Sequence, residues 1–173
     1  MLLRSTDGTE LELTVAGYEF PDLAELADAS DWDANWLVVA GRLVLADGRT
    51  WSFRDPSLVV DEAQQLGRWL LAAADGRVPE VPVAEPKEPA DRRMLVFVEP
   101  NLAFSVARRE AGSVAVRVWL SHETVAPWVE EPWAFDAQEI VLVVPAAELA
   151  AAGKVWLDAM SAFPRRGVAG VAG

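Results

Sequence analysis

The sequence predicts an α+β fold: a mostly antiparallel β-sheet with two α-helices, one ending each half. Three observations carry this. Strand-like segments follow one another closely and are joined by tight-turn signals, which favours antiparallel pairing. Two segments with helical spacing of apolar residues come after the strands, one in each half. A proline-rich stretch, residues 78–90, separates the halves. We expect a single domain over residues 1–165 with that stretch as an internal linker, and a flexible tail over 166–173.

The elements follow in order. Thr9 to Val15 alternates polar and apolar residues, the mark of a half-buried strand. Trp36 to Leu45 is long and rich in β-branched residues, and runs into Asp47-Gly48, a strong hairpin signal. Thr50 to Arg54 is the return strand, with Trp51 and Phe53 on one face. A helix follows, with Asp61 as N-cap and Gln64 as its capping-box partner. Ala63, Leu66, Leu70 and Ala73 give its apolar stripe, and Gly76 its stop. In 78–90, four prolines each fix φ and remove an N–H donor, so an extended, poorly paired linker is expected.

The second half repeats the plan. Arg93–Val98, Leu102–Ala107, Ser113–Leu120 and Glu139–Val144 read as strands, with a turn at Glu110 to Ser113. Ala146 to Phe163 reads as a helix carrying Leu149, Gly153, Trp156 and Met160 on one face, ended by Pro164. Two echoes link the halves. Phe53-Arg54-Asp55-Pro56-Ser57-Leu58 and Phe97-Val98-Glu99-Pro100-Asn101-Leu102 share Phe-x-acid-Pro-x-Leu, and Trp69-Leu70-Leu71-Ala72 echoes Trp156-Leu157-Asp158-Ala159. Their offsets differ, so this is no fixed-period repeat.

Composition narrows the function. The net charge is −12 over 173 residues, and the acids are unevenly placed. Glu19, Asp22, Glu25, Asp28, Asp31 and Asp33 occur without an intervening Lys or Arg, beside Tyr18, Phe20, Trp32 and Trp36. Glu123, Glu130, Glu131, Asp136 and Glu139 do the same, beside Trp128, Trp133 and Phe135. An acidic, aromatic surface suits a basic protein partner and repels nucleic acid and anionic membranes. The same acids would also serve solubility alone. No apolar run is long enough to span a membrane. The N-terminus meets charge too soon for a signal peptide. The absence of cysteine removes disulfides and thiolate chemistry, and a cytoplasmic protein fits.

Catalytic signals are weak, and the expectation is a non-enzymatic protein without cofactor or metal. The single histidine, His122, is flanked by Ser121 and Glu123. Side chains of successive strand residues point to opposite faces, so these three do not form a triad. His122 is expected at the surface, at the end of a strand. One His and no Cys make a zinc site improbable, and Asp31 to Asn35 lacks the later Gly and Glu of a calcium loop. Asp55 and Glu99 would form an acid pair only if they faced each other. The simpler reading places Asp55-Pro56 and Glu99-Pro100-Asn101 at strand ends, as turns whose acids accept backbone N–H bonds. Trp51, Trp69, Trp119 and Trp156 fall at regular positions and read as core. Trp32, Trp128 and Trp133 fall in loop-like contexts and are the better candidates for a partner surface.

Several segments taken together resemble the WapI-type immunity proteins, small bacterial proteins paired with polymorphic toxins. They are Gly17-Tyr18-Glu19-Phe20-Pro21, Asp33 to Val39, Trp51-Ser52-Phe53-x-Asp55-Pro56, Phe97 to Phe104, and Ala126-Pro127-Trp128. The resemblance spans about residues 2 to 165 and rests on ordered short motifs. It implies a protein that binds and neutralises a cognate toxin domain, often a nuclease. Leu23 to Ser30 and the proline-rich linker look like variable insertions, so no toxin-binding residue is carried over. Two other readings stay open from the residues themselves: a ligand-binding or enzymatic domain with Asp55 and Glu99 at its pocket, and an adaptor that self-associates through a sheet edge.

Overall fold

In the computed structural model, which describes residues 1–24, 32–82 and 93–167, the chain forms two four-stranded antiparallel sheets. Each sheet is a meander in chain order, and each is followed by a helix. The first holds β1 (Leu2–Arg4), β2 (Glu10–Tyr18), β3 (Trp36–Val44) and β4 (Thr50–Val59), and leads into α1 (Val60–Ala74). The second holds β5 (Leu95–Val96), β6 (Leu102–Glu110), β7 (Ser113–Leu120) and β8 (Gln138–Pro145), and leads into α2 (Ala146–Met160). The α+β expectation is met.

Local chemistry explains the turns. Leu45-Ala46-Asp47-Gly48-Arg49 closes with Gly48 N–H on Leu45 O and Leu45 N–H on Arg49 O, each 2.9 Å, and Gly48 at φ +86°. This is a three-residue hairpin loop with glycine in the left-handed position. Ser5-Thr6-Asp7-Gly8-Thr9 repeats it, and that turn adds β1, a strand the expectation lacked. In both loops the Asp carboxylate accepts the N–H two residues on.

Three expectations change. β4 does not end at Arg54 but runs through Asp55 and Pro56 to Val59. Proline is tolerated there because β4 is an edge strand and because its register with β3 slips between Leu37 and Val39. So Asp55-Pro56 is a bulged strand rather than a turn, whereas Glu99-Pro100-Asn101 lies in the turn between β5 and β6. The two Phe-x-acid-Pro motifs thus occupy non-equivalent places. Second, α1 starts at Val60, and Glu62, not Gln64, closes its first turn by accepting the Val59 N–H at 3.0 Å. Its end is as expected: Gly76 at φ +76° donates to Ala73 O and Arg77 donates to Ala72 O, a Schellman closure. Third, the described part of the linker is paired. Val81 is fully buried, and its N–H meets Val106 O at 2.7 Å, extending the sheet edge where the short β5 stops. Residues 83–90 lie outside the described residues.

One core joins everything. The inner faces of both sheets supply Leu11, Leu13, Leu37, Leu43, Phe104, Val116, Val118 and Leu142, and the helices supply Leu66, Leu70, Leu149 and Trp156. The two helices cross at glycines. Gly67 and Gly153 both stand eighth in their helices, an offset of 86 (153 − 67). Leu157 packs on Gly67 and Leu71 packs on Gly153, so the same pair of positions is used twice. Trp156 donates its indole N–H to Ala63 O at 2.6 Å across the crossing. Among the Trp residues read as core, Trp51, Trp119 and Trp156 are buried and Trp69 is half-buried. Trp119 lies on the outer face of the second sheet, in a smaller cluster with Val81, Met94 and Ala103, stacked on Phe135.

Candidate functional site

The two acidic segments, far apart in sequence, are both coupled electrostatically to Asp55. The first segment enters at the end of β2, where the Glu19 N–H donates to Trp36 O. It leaves through the short 3₁₀ turn Asp33–Asn35. The second begins where β7 ends. There His122 takes φ +54°, the sole positive φ at a non-glycine among the described residues, and opens the 3₁₀ turn His122–Thr124. That turn packs on β4. Thr124 O accepts the Trp51 indole N–H at 3.0 Å. The Thr124 hydroxyl lies 2.7 Å from Asn101 O, its acceptor.

Asp55 sits at the junction, half-buried. Its Oδ2 accepts Asn101 Nδ2–H at 2.7 Å, and the Ser57 hydroxyl lies 3.4 Å away. Burial raises its pKa, and the Glu123 carboxylate raises it further; the bonds from Asn101 and Ser57 oppose this. Burial also raises Glu19, and Asp55 and Asp33 add to it. Asp55 is thus coupled electrostatically to Glu123 and to Glu19, and Glu19 to Asp33. Sequence reasoning saw two loops and missed that Asp55 joins them, because it placed Asp55 in a turn.

Large aromatics flank these acids. Trp133 is 68% exposed and meets the His122 ring edge-on at 5.5 Å. Trp128 is 41% exposed, stands edge-on to buried Trp51, and carries the Arg49 guanidinium over its ring. Trp32 is 51% exposed. Asp22, Asp33, Glu123, Glu130, Glu131 and Asp136 are exposed, and Glu99 is half-buried. Glu25, Asp28 and Asp31 lie outside the described residues.

Bases absent from the segments in sequence approach both of them in space: Arg117 pairs with Glu139 and Arg49 covers Trp128 in the second, and Arg166 holds the first. Arg166 donates Nη1–H to Phe20 O at 2.8 Å, covers the Tyr18 ring at 3.4 Å, and exchanges backbone bonds with the Asn35 amide. Tyr18 donates its hydroxyl to Pro164 O, and Arg165 pairs with Asp61 at 2.7 Å. The chain through Arg166 is thus clasped to both ends of the first acidic segment. The expected tail starts too early at residue 166; residues 168–173 lie outside the described residues.

The Ser121 and His122 side chains do meet, at 3.1 Å, against the strand-based expectation, because His122 has left the strand. The Ser121 hydroxyl donates to Pro100 O at 2.8 Å, which engages its proton away from the imidazole. A general base would need the opposite arrangement. A shallow cavity of about 270 Å³ lies over Glu12, Thr14, Arg42 and Ser52, and neither Asp55 nor Glu99 lines it. Among the described residues, no three His, Asp or Glu side chains are grouped to hold a metal ion, and no helix is long and apolar enough to cross a membrane.

These features define a small α+β protein with an exposed acidic and aromatic face. The chain belongs to the immunity protein WapI-like family, whose model matches residues 1–164. Membership implies a cognate toxin as partner and neutralisation of that toxin as the general role. No curated protein sequence matches the chain.

Proposed function

We propose that this chain neutralises a basic toxin domain, without catalysis, by setting the face around Asp55, Trp128 and Trp133 against the toxin's cationic surface. The observation that carries the reading is the packing of the His122–Thr124 turn on β4, the strand that holds Asp55, with Asp55 coupled electrostatically to Glu123 and Glu19. A nuclease domain needs a cationic surface for its nucleic acid, and carboxylates placed where phosphates would lie compete for it. The exposed indoles supply the apolar anchors that dominate interface energetics. The protein would act in the cytoplasm of the cell that makes the toxin.

The test is association of the purified chain with the toxin domain encoded beside it, measured across ionic strength. Steering by the acidic face predicts an association rate that falls steeply as salt shortens the Debye length from about 30 Å to about 8 Å. Trp133→Ala should weaken binding by about 2 kcal/mol while leaving the melting temperature unchanged, since its ring is mostly in water. A rate flat in salt, with Trp133→Ala silent, would refute the proposed face.

A further inference from the structure

Asp55 differs from the other acids of this face. It is half-buried within β4, held by Asn101, and among the described residues no Arg or Lys forms an ion pair with it. Glu19, Glu123 and His122 interact with it electrostatically, the two carboxylates unfavourably and the imidazole favourably. Asn101 is fully buried and directs its side chain into this cluster. It spends Nδ2–H on Asp55, and its own Oδ1 has no hydrogen-bond partner among the described residues. Asp55 Oδ1 accepts no hydrogen bond among the described residues. The cluster thus presents acceptors with no Arg or Lys paired to them among the described residues, and a buried acceptor left unmatched, as Asn101 Oδ1 is there, is costly.

A carboxylate drawn out of water and set beside other carboxylates loses favourable free energy that an arriving cation restores. A metal ion is a poor fit, because no three ligating groups are grouped closely enough among the described residues. A guanidinium suits the site better. Its planar fork of donors can engage a carboxylate and a neighbouring acceptor together, and it is weakly hydrated. We infer that Asp55 is the anchor carboxylate of the face, the point at which an arginine side chain of the protein partner docks, with Glu19 and Glu123 flanking it. Asn101 is its positioning residue. This rests on the proposed toxin-neutralising function.

The experiment compares wild type, Asp55→Asn and Glu130→Gln for binding to the co-encoded toxin domain and for unfolding in urea. Asp55→Asn keeps the shape and can still accept the Asn101 amide. The expected result is an affinity loss of 30-fold or more, carried mainly by faster dissociation, in a variant at least as stable as wild type. Glu130→Gln, an exposed acid of the same face, should lose less than about threefold, as expected for a charge at an interface rim. Lower affinity with unreduced stability is what a merely structural role would not produce. If the wild type binds and Asp55→Asn binds within threefold of it, the anchor is wrong and the wider reading stands. If Asp55→Asn loses affinity only in step with stability, Asp55 is structural and the anchor is again wrong. A wild type that does not bind the toxin domain overturns the functional reading and this inference with it.

Discussion

Replacing Gly67 with alanine should destabilise the protein, although the same change stabilises most helices. In an isolated helix Gly→Ala gains about 1 kcal/mol. Here the added Cβ would lie 2.5 Å from Leu157 Cγ, 2.7 Å from its Cδ2 and 3.0 Å from Trp156 Cδ1. Carbon atoms prefer roughly 3.5–4.0 Å, so the overlap is about 1 Å at a branched carbon. Either the helices separate or Leu157 swings outward. Overpacking of this kind costs about 1–3 kcal/mol, and crediting the helix propensity leaves a net loss of up to about 2 kcal/mol. In a chain of this size that lowers the melting temperature by up to roughly 8 °C. Gly153→Ala is the internal control. Its Cβ would meet Gly67 O and Leu70 Cβ at 3.1 Å and Leu71 Cδ2 at 3.3 Å, milder overlaps than those at Gly67. There the propensity gain should offset the strain to within about 0.5 kcal/mol. Urea unfolding followed by tryptophan fluorescence gives both values. Trimming the obstruction with Leu157→Ala should rescue Gly67→Ala, giving a coupling above about 0.5 kcal/mol in the double-mutant cycle. A Gly67→Ala protein at least as stable as wild type, or a cycle with no coupling, would refute the crossing described.

Further outcomes follow from the same structure. Asp55 has a raised pKa, through burial first and Glu123 second, so the folded state holds its proton more tightly than the unfolded chain. Its penalty is therefore present above the folded pKa and relieved as pH falls through it. Asp55→Asn should be more stable than wild type near neutrality, and the two should converge on acidification in urea midpoints taken across pH. Arg166→Ala removes the bond to Phe20 O and the cation over Tyr18. It should cost about 1–2 kcal/mol and speed amide exchange at Glu19 and Asn35; unchanged exchange would show that the clasp holds nothing. Arg117 is fully buried on β7, 3.0 Å from Glu139 and over the Trp119 ring, with Nη1 and Nη2 lacking hydrogen-bond partners among the described residues. Arg117→Met should destabilise by about 1–3 kcal/mol, because it removes the cation from Glu139 and from the Trp119 ring while the Glu139 carboxylate stays in place; thermal melts that do not fall would mean the desolvation of the guanidinium outweighs both contacts.

Much of the architecture was legible in the sequence because its signals were local. β7 matches its expected span, Ser113–Leu120, since alternation and a glycine turn bound it on the chain itself. What escaped depends on neighbours. Arg54 looked like a strand end because Pro56 follows, yet an edge position with a bulge lets β4 continue. Asp7-Gly8 carried the same signal as Asp47-Gly48, but only two residues separate Arg4 from Asp7, and so short a strand as β1 shows little alternation. The division of tryptophans into Trp51, Trp119 and Trp156 inside and Trp32, Trp128 and Trp133 outside was readable from context. The role of Asp55 was not. It depends on Asn101, Glu19 and Glu123 arriving from three other segments, and no spacing along one segment reports that.

The glycine crossing also governs how the chain is made. On the ribosome, Gly153 follows Gly67 by 86 residues (153 − 67), roughly 4–17 s at about 5–20 residues per second. Through that interval the first sheet and α1 are complete, while Leu66 and Leu70 wait for the helix that covers them. An apolar face uncovered for seconds is open to chaperones and to other nascent chains. Its protection arrives only with α2, so a polypeptide broken before Ala146 leaves that face of the first half uncovered.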